Sequence, residues 1–77
     1  MTHELKILPQ YFEAVEKGEK TFELRLNDRG YQVGDMLYLR EYCNGYTGRT
    51  VAKKVTYMLE GIPEYGLNEK YCILGFR

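Results

Sequence analysis

Hydrophobic and polar side chains alternate over Glu4-Leu5-Lys6-Ile7, the pattern of a short half-buried strand. Pro9 ends that run and suits the first position of a helix, where its missing N–H costs nothing. From Gln10 to Lys17 the period changes. Tyr11, Phe12 and Val15, with Ala14 beside them, fall at helical spacing. Gly18 is suited to a left-handed cap, and Lys17 to the negative end of the helix dipole. Two turns of helix are too short to persist alone, so this one must pack on a sheet.

Period two returns at Thr21-Phe22-Glu23-Leu24-Arg25. Phe22 and Leu24 share one face and are expected in the core; Thr21, Glu23 and Arg25 share the other, with Glu23 and Arg25 lining an open groove. Asn27-Asp28-Arg29-Gly30 reads as a loop, and Val33-Gly34-Asp35 as a tight turn into a strand over Met36–Cys43 in which Leu37 and Leu39 alternate with Tyr38, Arg40 and Tyr42. Asn44-Gly45-Tyr46-Thr47-Gly48 has hairpin chemistry. Its partner strand is expected from about Thr50 to Leu59, followed by an irregular loop over Gly61–Gly66. Tyr71-Cys72-Ile73-Leu74-Gly75-Phe76 closes the chain as a strand apolar enough to be buried on both sides. The sum is one α+β domain over 1–77: about five strands, one short helix after the first of them, and a small, mainly antiparallel barrel that hides its sheet edges.

Size and charge narrow the functions. A chain of 77 residues buries only about 60% of its unfolded surface, so its core is thin. Eight tyrosines and three phenylalanines supply much of the bulk. Eleven basic side chains balance eleven acidic ones, which removes the counterion-release drive for tight binding to long duplex DNA. Any nucleic-acid role must then rest on a local patch. Cys43 and Cys72 lack metal-site spacing and fall in apolar runs, so both are expected as small buried hydrophobes; no metal or other cofactor is expected. His3 reads as an exposed residue near the start of the chain. The first residues are too polar for a signal peptide and no run reaches membrane-spanning length, an expectation of a cytoplasmic protein with no membrane partner.

Gly18-Glu19-Lys20-Thr21-Phe22-Glu23-Leu24-Arg25 resembles the signature of the ASCH family, G-x-K-x-x-E-x-R. Val33-Gly34-Asp35, Leu39-Arg40-Glu41-Tyr42, Gly45-Tyr46-Thr47-Gly48-Arg49, Lys54-Val55-Thr56-Tyr57, Tyr65-Gly66-Leu67 and Ile73-Leu74-Gly75-Phe76 extend the likeness to small single-domain ASCH-like proteins of bacteria and phages. The resemblance implies a PUA-like barrel with a polar cleft beside the helix and the next strand, and a role in binding RNA or nucleotides. It also implies an alternative. Some small ASCH proteins are amidohydrolases that deacylate acetylcytidine with a lysine, a threonine and a glutamate. Their lysine falls on Lys20; their threonine falls on Glu23, and Thr21 lies one pleat away. Lys20 and Glu23 are therefore the catalytic candidates of the enzyme reading, with Glu60 and Glu64 as loose counterparts of the glutamate.

For binding, the candidates are Lys20, Thr21, Glu23, Arg25 and Tyr46. An arginine fork and a lysine point charge hold phosphate or carbonyl oxygens, and a carboxylate accepts from an amino group such as that of cytosine. From spacing alone, Glu23 and Arg25 also fit an ion pair on a solvated strand, worth under about 1 kcal/mol. Tyr31, Tyr38, Tyr42 and Tyr46 fit either base stacking or ordinary packing. Arg40, Arg49, Lys53 and Lys54 fit either a basic edge beside Tyr46 or a solvated strand that deters pairing. A protein-interaction module is the third class left open, and oligomeric state is not encoded in any of these patterns.

Overall fold

The computed structural model describes residues 1–77. Its elements run β1 (Thr2–Ile7), α1 (Pro9–Glu16), β2 (Phe22–Leu26), β3 (Met36–Tyr42), β4 (Tyr46–Ile62), a 3-10 turn over Pro63–Tyr65, and β5 (Leu67–Phe76). Pro9 begins the helix as its spacing requires, and Phe12 and Val15 bury completely beneath it. At the β3–β4 hairpin, where Tyr42 pairs with Tyr46 across a three-residue loop, Asn44 and Gly45 both take positive φ, 58° and 136°, which asparagine and glycine accept more readily than other residues. β4 is longer than its composition indicates because the ladders continue past both ends of the expected span, with Tyr46 opposite Tyr42 and Ile62 opposite Leu67.

Ladders place the strands in the order β1-β3-β4-β5-β2. The β1–β3 pairing is parallel and the other three are antiparallel. β4 takes part in both halves: up to Lys54 it pairs with β3, and from Val55 onward it pairs with β5 across a register shift between Val55 and Tyr57. No ladder joins β1 to β2, so the sheet stays open where a closed barrel was expected. Two arginines span that seam instead. Arg25 Nη2 donates to the Lys6 carbonyl at 2.5 Å, and Arg29 Nη1 donates to the Glu4 carbonyl at 3.0 Å. Each satisfies an edge carbonyl that a neighbouring strand would otherwise have taken.

The core is a cluster of eleven hydrophobic residues, including Leu5 and Ile7 from β1, Phe12 and Val15 from α1, Leu37 and Leu39 from β3, and Cys72, Leu74 and Phe76 from β5. Several expectations are corrected. The alternation in β2 holds but faces the other way: Glu23 is 4% exposed, while Phe22 and Leu24 are 46% and 55% exposed. β5 buries one face only, with Tyr71 turned outward. His3 is buried, in edge contact with the buried ring of Tyr31, which is therefore packed and not free to stack on a base. Cys43 is exposed, because it abuts the hairpin turn, while Cys72 is buried.

The reversed facing of β2 is open to test. Leu74→Ala empties a fully buried site beside Glu23 and is expected to cost about 2–5 kcal/mol of unfolding free energy. Leu24→Ala, on the outward face, is expected to cost less than about 1 kcal/mol in urea denaturation at low protein concentration. The opposite ranking would mean that Leu24 points into the core.

Candidate functional site

The helix ends where the site begins. Gly18 adopts φ 77°, a conformation that ordinary side chains resist, and lets the chain fold back on the last turn. The N–H groups of Glu19 and Lys20 both donate to the Ala14 carbonyl, at 2.9 and 3.0 Å. The reversal delivers Lys20 to the seam between β1 and β2.

There Glu23 is the hub. One carboxylate oxygen accepts from Lys20 Nζ, which also donates to the Phe22 carbonyl at 2.6 Å. The other accepts from Arg25 Nε at 3.0 Å, with Nη2 2.9 Å away. Lys20 and Arg25 are mostly covered, so the three charges form a partly desolvated cluster rather than an ion pair on a solvated strand. Lys20 Nζ lies 5.0 Å from the Phe22 ring centre and 5.5 Å from that of Tyr11, which adds cation–π attraction.

A cavity of about 450 Å³ opens over this cluster. Lys20, Glu23 and Arg25 line it together with Lys6, Ile7 and Leu8 at the end of β1. Tyr11, Phe22 and Leu24 complete its largely apolar rim. Thr21 and Tyr46 are elsewhere. Thr21 is exposed ahead of β2, its carbonyl accepting from Phe76 N–H. Tyr46, at the β3–β4 hairpin, does not line the cavity; it is edge-on to Tyr42, with its ring centre 3.9 Å from the Arg40 guanidinium and 5.9 Å from Lys6 Nζ. The five binding candidates thus divide: three share the cavity and two do not. Lys6 and Tyr11 escaped sequence reasoning. Tyr11 sits at helical spacing with the core residues, and nothing in the pattern distinguishes a rim position from a buried one.

Two further buried carboxylates were not singled out in the sequence. Asp35 accepts from His3 at 2.8 Å and from the Gln32 N–H at 3.0 Å, and the His3 contact foremost holds its carboxyl at about 2. Glu41 accepts from Arg49 through both oxygens, at 2.9 and 2.7 Å, and from the Thr47 hydroxyl at 2.7 Å. Arg49, then Thr47, hold the Glu41 carboxyl at about 2, and Glu41 with Glu13 holds the Arg49 guanidinium above its usual range. Arg49 also reaches Glu13 on α1 at 2.7 Å, which ties the hairpin to the helix. It is a brace, not a free basic edge. Burial raises the Cys72 thiol, leaving it no thiolate character at neutral pH.

Residues 2–76 match the model of a domain of unknown function, DUF3850, and the chain belongs to that family. It is similar to an uncharacterized 12.9 kDa protein in the GpA 3′ region of Escherichia phage P2, 44% identical over 55 residues, 70% of this chain. The chain spans about half the length of that relative, which the matched segment covers to 50%.

Removing the hub carboxylate is expected to unsettle the seam. Glu23→Gln leaves Lys20 and Arg25 facing a neutral amide and is expected to lower stability by about 1–3 kcal/mol, a cost limited by the part of each cation that stays in water. Guanidinium denaturation against the parent measures it. Acid has a separate signature. The carboxyls of Asp35 and Glu41 titrate near 2 in the folded chain, below their ordinary values of 3.8 and 4.5. Their contribution is complete above those ordinary values and is lost as pH falls towards 2. Thermal melts should therefore show stability declining between about pH 4.5 and 2, with a shallower decline in Glu41→Gln.

Proposed function

We propose that this DUF3850 protein is a binding module of the ASCH type that takes a nucleotide, free or within single-stranded RNA, in the cleft between β1 and β2. The observation that carries the reading is the pairing of a charged floor with an aromatic rim in a single cavity. Tyr11 and Phe22 are each 46% exposed, so each offers a ring face to a base. On the floor, Lys20 has three donors and uses two; Arg25 has five and uses its Nε and Nη2 groups. The donors left over suit a phosphate or a base carbonyl. A volume of about 450 Å³ falls within the range of small-ligand sites. The likeness of Gly18, Lys20, Glu23 and Arg25 to the ASCH signature supports the same reading, since three of the four form the floor.

The deacylase alternative finds less support. Amide hydrolysis needs a nucleophile or a base free to activate water, and a donor for the oxyanion. Glu23 occupies the position of the enzymes' threonine, and each of its oxygens already accepts from a cation. Thr21, the nearest hydroxyl in sequence, does not line the cavity. Lys20 Nζ is already committed to the Glu23 carboxylate and the Phe22 carbonyl, so it is not free to act on a water.

Titration of labelled protein with ribonucleoside monophosphates and short single-stranded RNAs is expected to shift the amide signals of Lys20 to Arg25 and of Tyr11. Tyr11→Ala should weaken binding by about 1–3 kcal/mol. The absence of shifts with every such ligand would dismiss the module. In the parallel assay, acetylcytidine is expected to release no cytidine. Turnover that disappears in Lys20→Ala and Glu23→Gln would make the protein an enzyme.

A further inference from the structure

The outward side of β2, β5 and β4 carries an uncharged apolar face. Cross-strand register sets Phe22, Gly75 and Tyr57 in one row, Leu24, Ile73 and Leu59 in the next, and Leu26 beside Tyr71 in the third. The alternate residues Cys72, Leu74 and Phe76 point into the core, so this set points away from it. Besides Phe22 and Leu24, Leu26 is 45% exposed, Tyr57 68% and Tyr71 41%. The five side chains leave on the order of 500 Å² uncovered on a single face, at the upper end of what a monomer exposes without use.

We propose that this face docks a second copy of the same chain, sheet against sheet, about a two-fold axis. Four observations favour that occupant. A two-fold interface sets a patch against itself, so a patch with a net charge would meet its own sign; these eight positions carry none. The chain has no net charge, so two copies approach without long-range repulsion. Gly75, between Phe22 and Tyr57, leaves a notch into which a ring from a facing sheet interdigitates. Pairing buries about 1,000–1,200 Å² in total, the lower edge of specific interfaces. It also supplies apolar burial to a domain whose core cluster holds only eleven residues.

The proposal stands without the nucleotide reading, though the two surfaces touch. Phe22 and Leu24 belong to both the face and the cavity rim, so the second copy sits against the mouth of the cleft.

Sedimentation equilibrium of the full chain, from micromolar to near-millimolar concentration, tests it. The mass is expected to rise to twice that of the chain. Leu24→Lys and Tyr57→Lys, at exposed positions that do not disturb packing, should each weaken association at least about tenfold. Thr50→Lys, exposed on the opposite half of the sheet, should leave it unchanged. Circular dichroism confirms that each variant is folded. A single-chain mass at every concentration, or a dimer indifferent to both lysines on the face, would overturn the proposal. So would a monomer that co-sediments with lipid vesicles through this face, since the occupant would then be a membrane surface.

Discussion

A buried carboxylate between two cations holds together the one place where the sheet does not close. Glu23 fixes Arg25 on β2, and Arg25 in turn reaches the Lys6 carbonyl on β1. Glu23 also anchors Lys20, which the Gly18 reversal has carried from the end of the helix. Three segments of chain thereby meet at one side chain. A hydrogen-bonded ladder between β1 and β2 would have done the same work with backbone groups and left no cavity. Side-chain closure keeps the edges a cavity's width apart while still satisfying them. The signature spacing of Gly18, Lys20, Glu23 and Arg25 therefore has a structural meaning before it has any functional one. The glycine reverses the chain, the glutamate is the hub, and the two cations are the spokes.

The elements themselves were legible because period and punctuation agree at each of them. Pro9, Gly18 and Asn44-Gly45 mark ends that the change of hydrophobic period marks independently. The facing of β2 was not legible. Alternation states which residues share a side, not which side is inward, and the usual tie-breaker puts Phe22 and Leu24 inside. That tie-breaker fails because the buried charge of Glu23 is compensated by residues at positions 20 and 25, a condition visible only once the strand lies at the seam. His3 and Asp35 failed to register for a similar reason: they are 32 residues apart, and neither has a local pattern that names the other. Tyr46 looked like a ligand contact because it is flanked by turn glycines, but the hairpin keeps it out of the cavity lining, packed against Tyr42 and Arg40 with Lys6 Nζ 5.9 Å from its ring centre.

Small size explains why buried acids recur. With few apolar side chains to bury, the fold uses Asp35, Glu41 and Glu23 as fasteners between segments. Asp35 joins the turn before β3 to β1, Glu41 joins β3 to β4 and, through Arg49, to the helix, and Glu23 joins the helix end to the seam. Each is satisfied by at least two donors, and no buried side-chain polar atom lacks a partner. Such contacts are directional, which hydrophobic contacts are not, so they define how the segments sit as well as whether they stay.

The length of β4 has a consequence for how the molecule comes apart. Its seventeen residues are shared between the ladder to β3 and the ladder to β5, so neither half of the sheet has a complete set of strands without it. Two sub-structures that own a strand in common cannot melt in sequence, because loosening one end of the strand strips partners from the other. Sharing that strand makes the sheet open as one cooperative unit, with the amides of β4 exchanging with water together with those of the strands it partners.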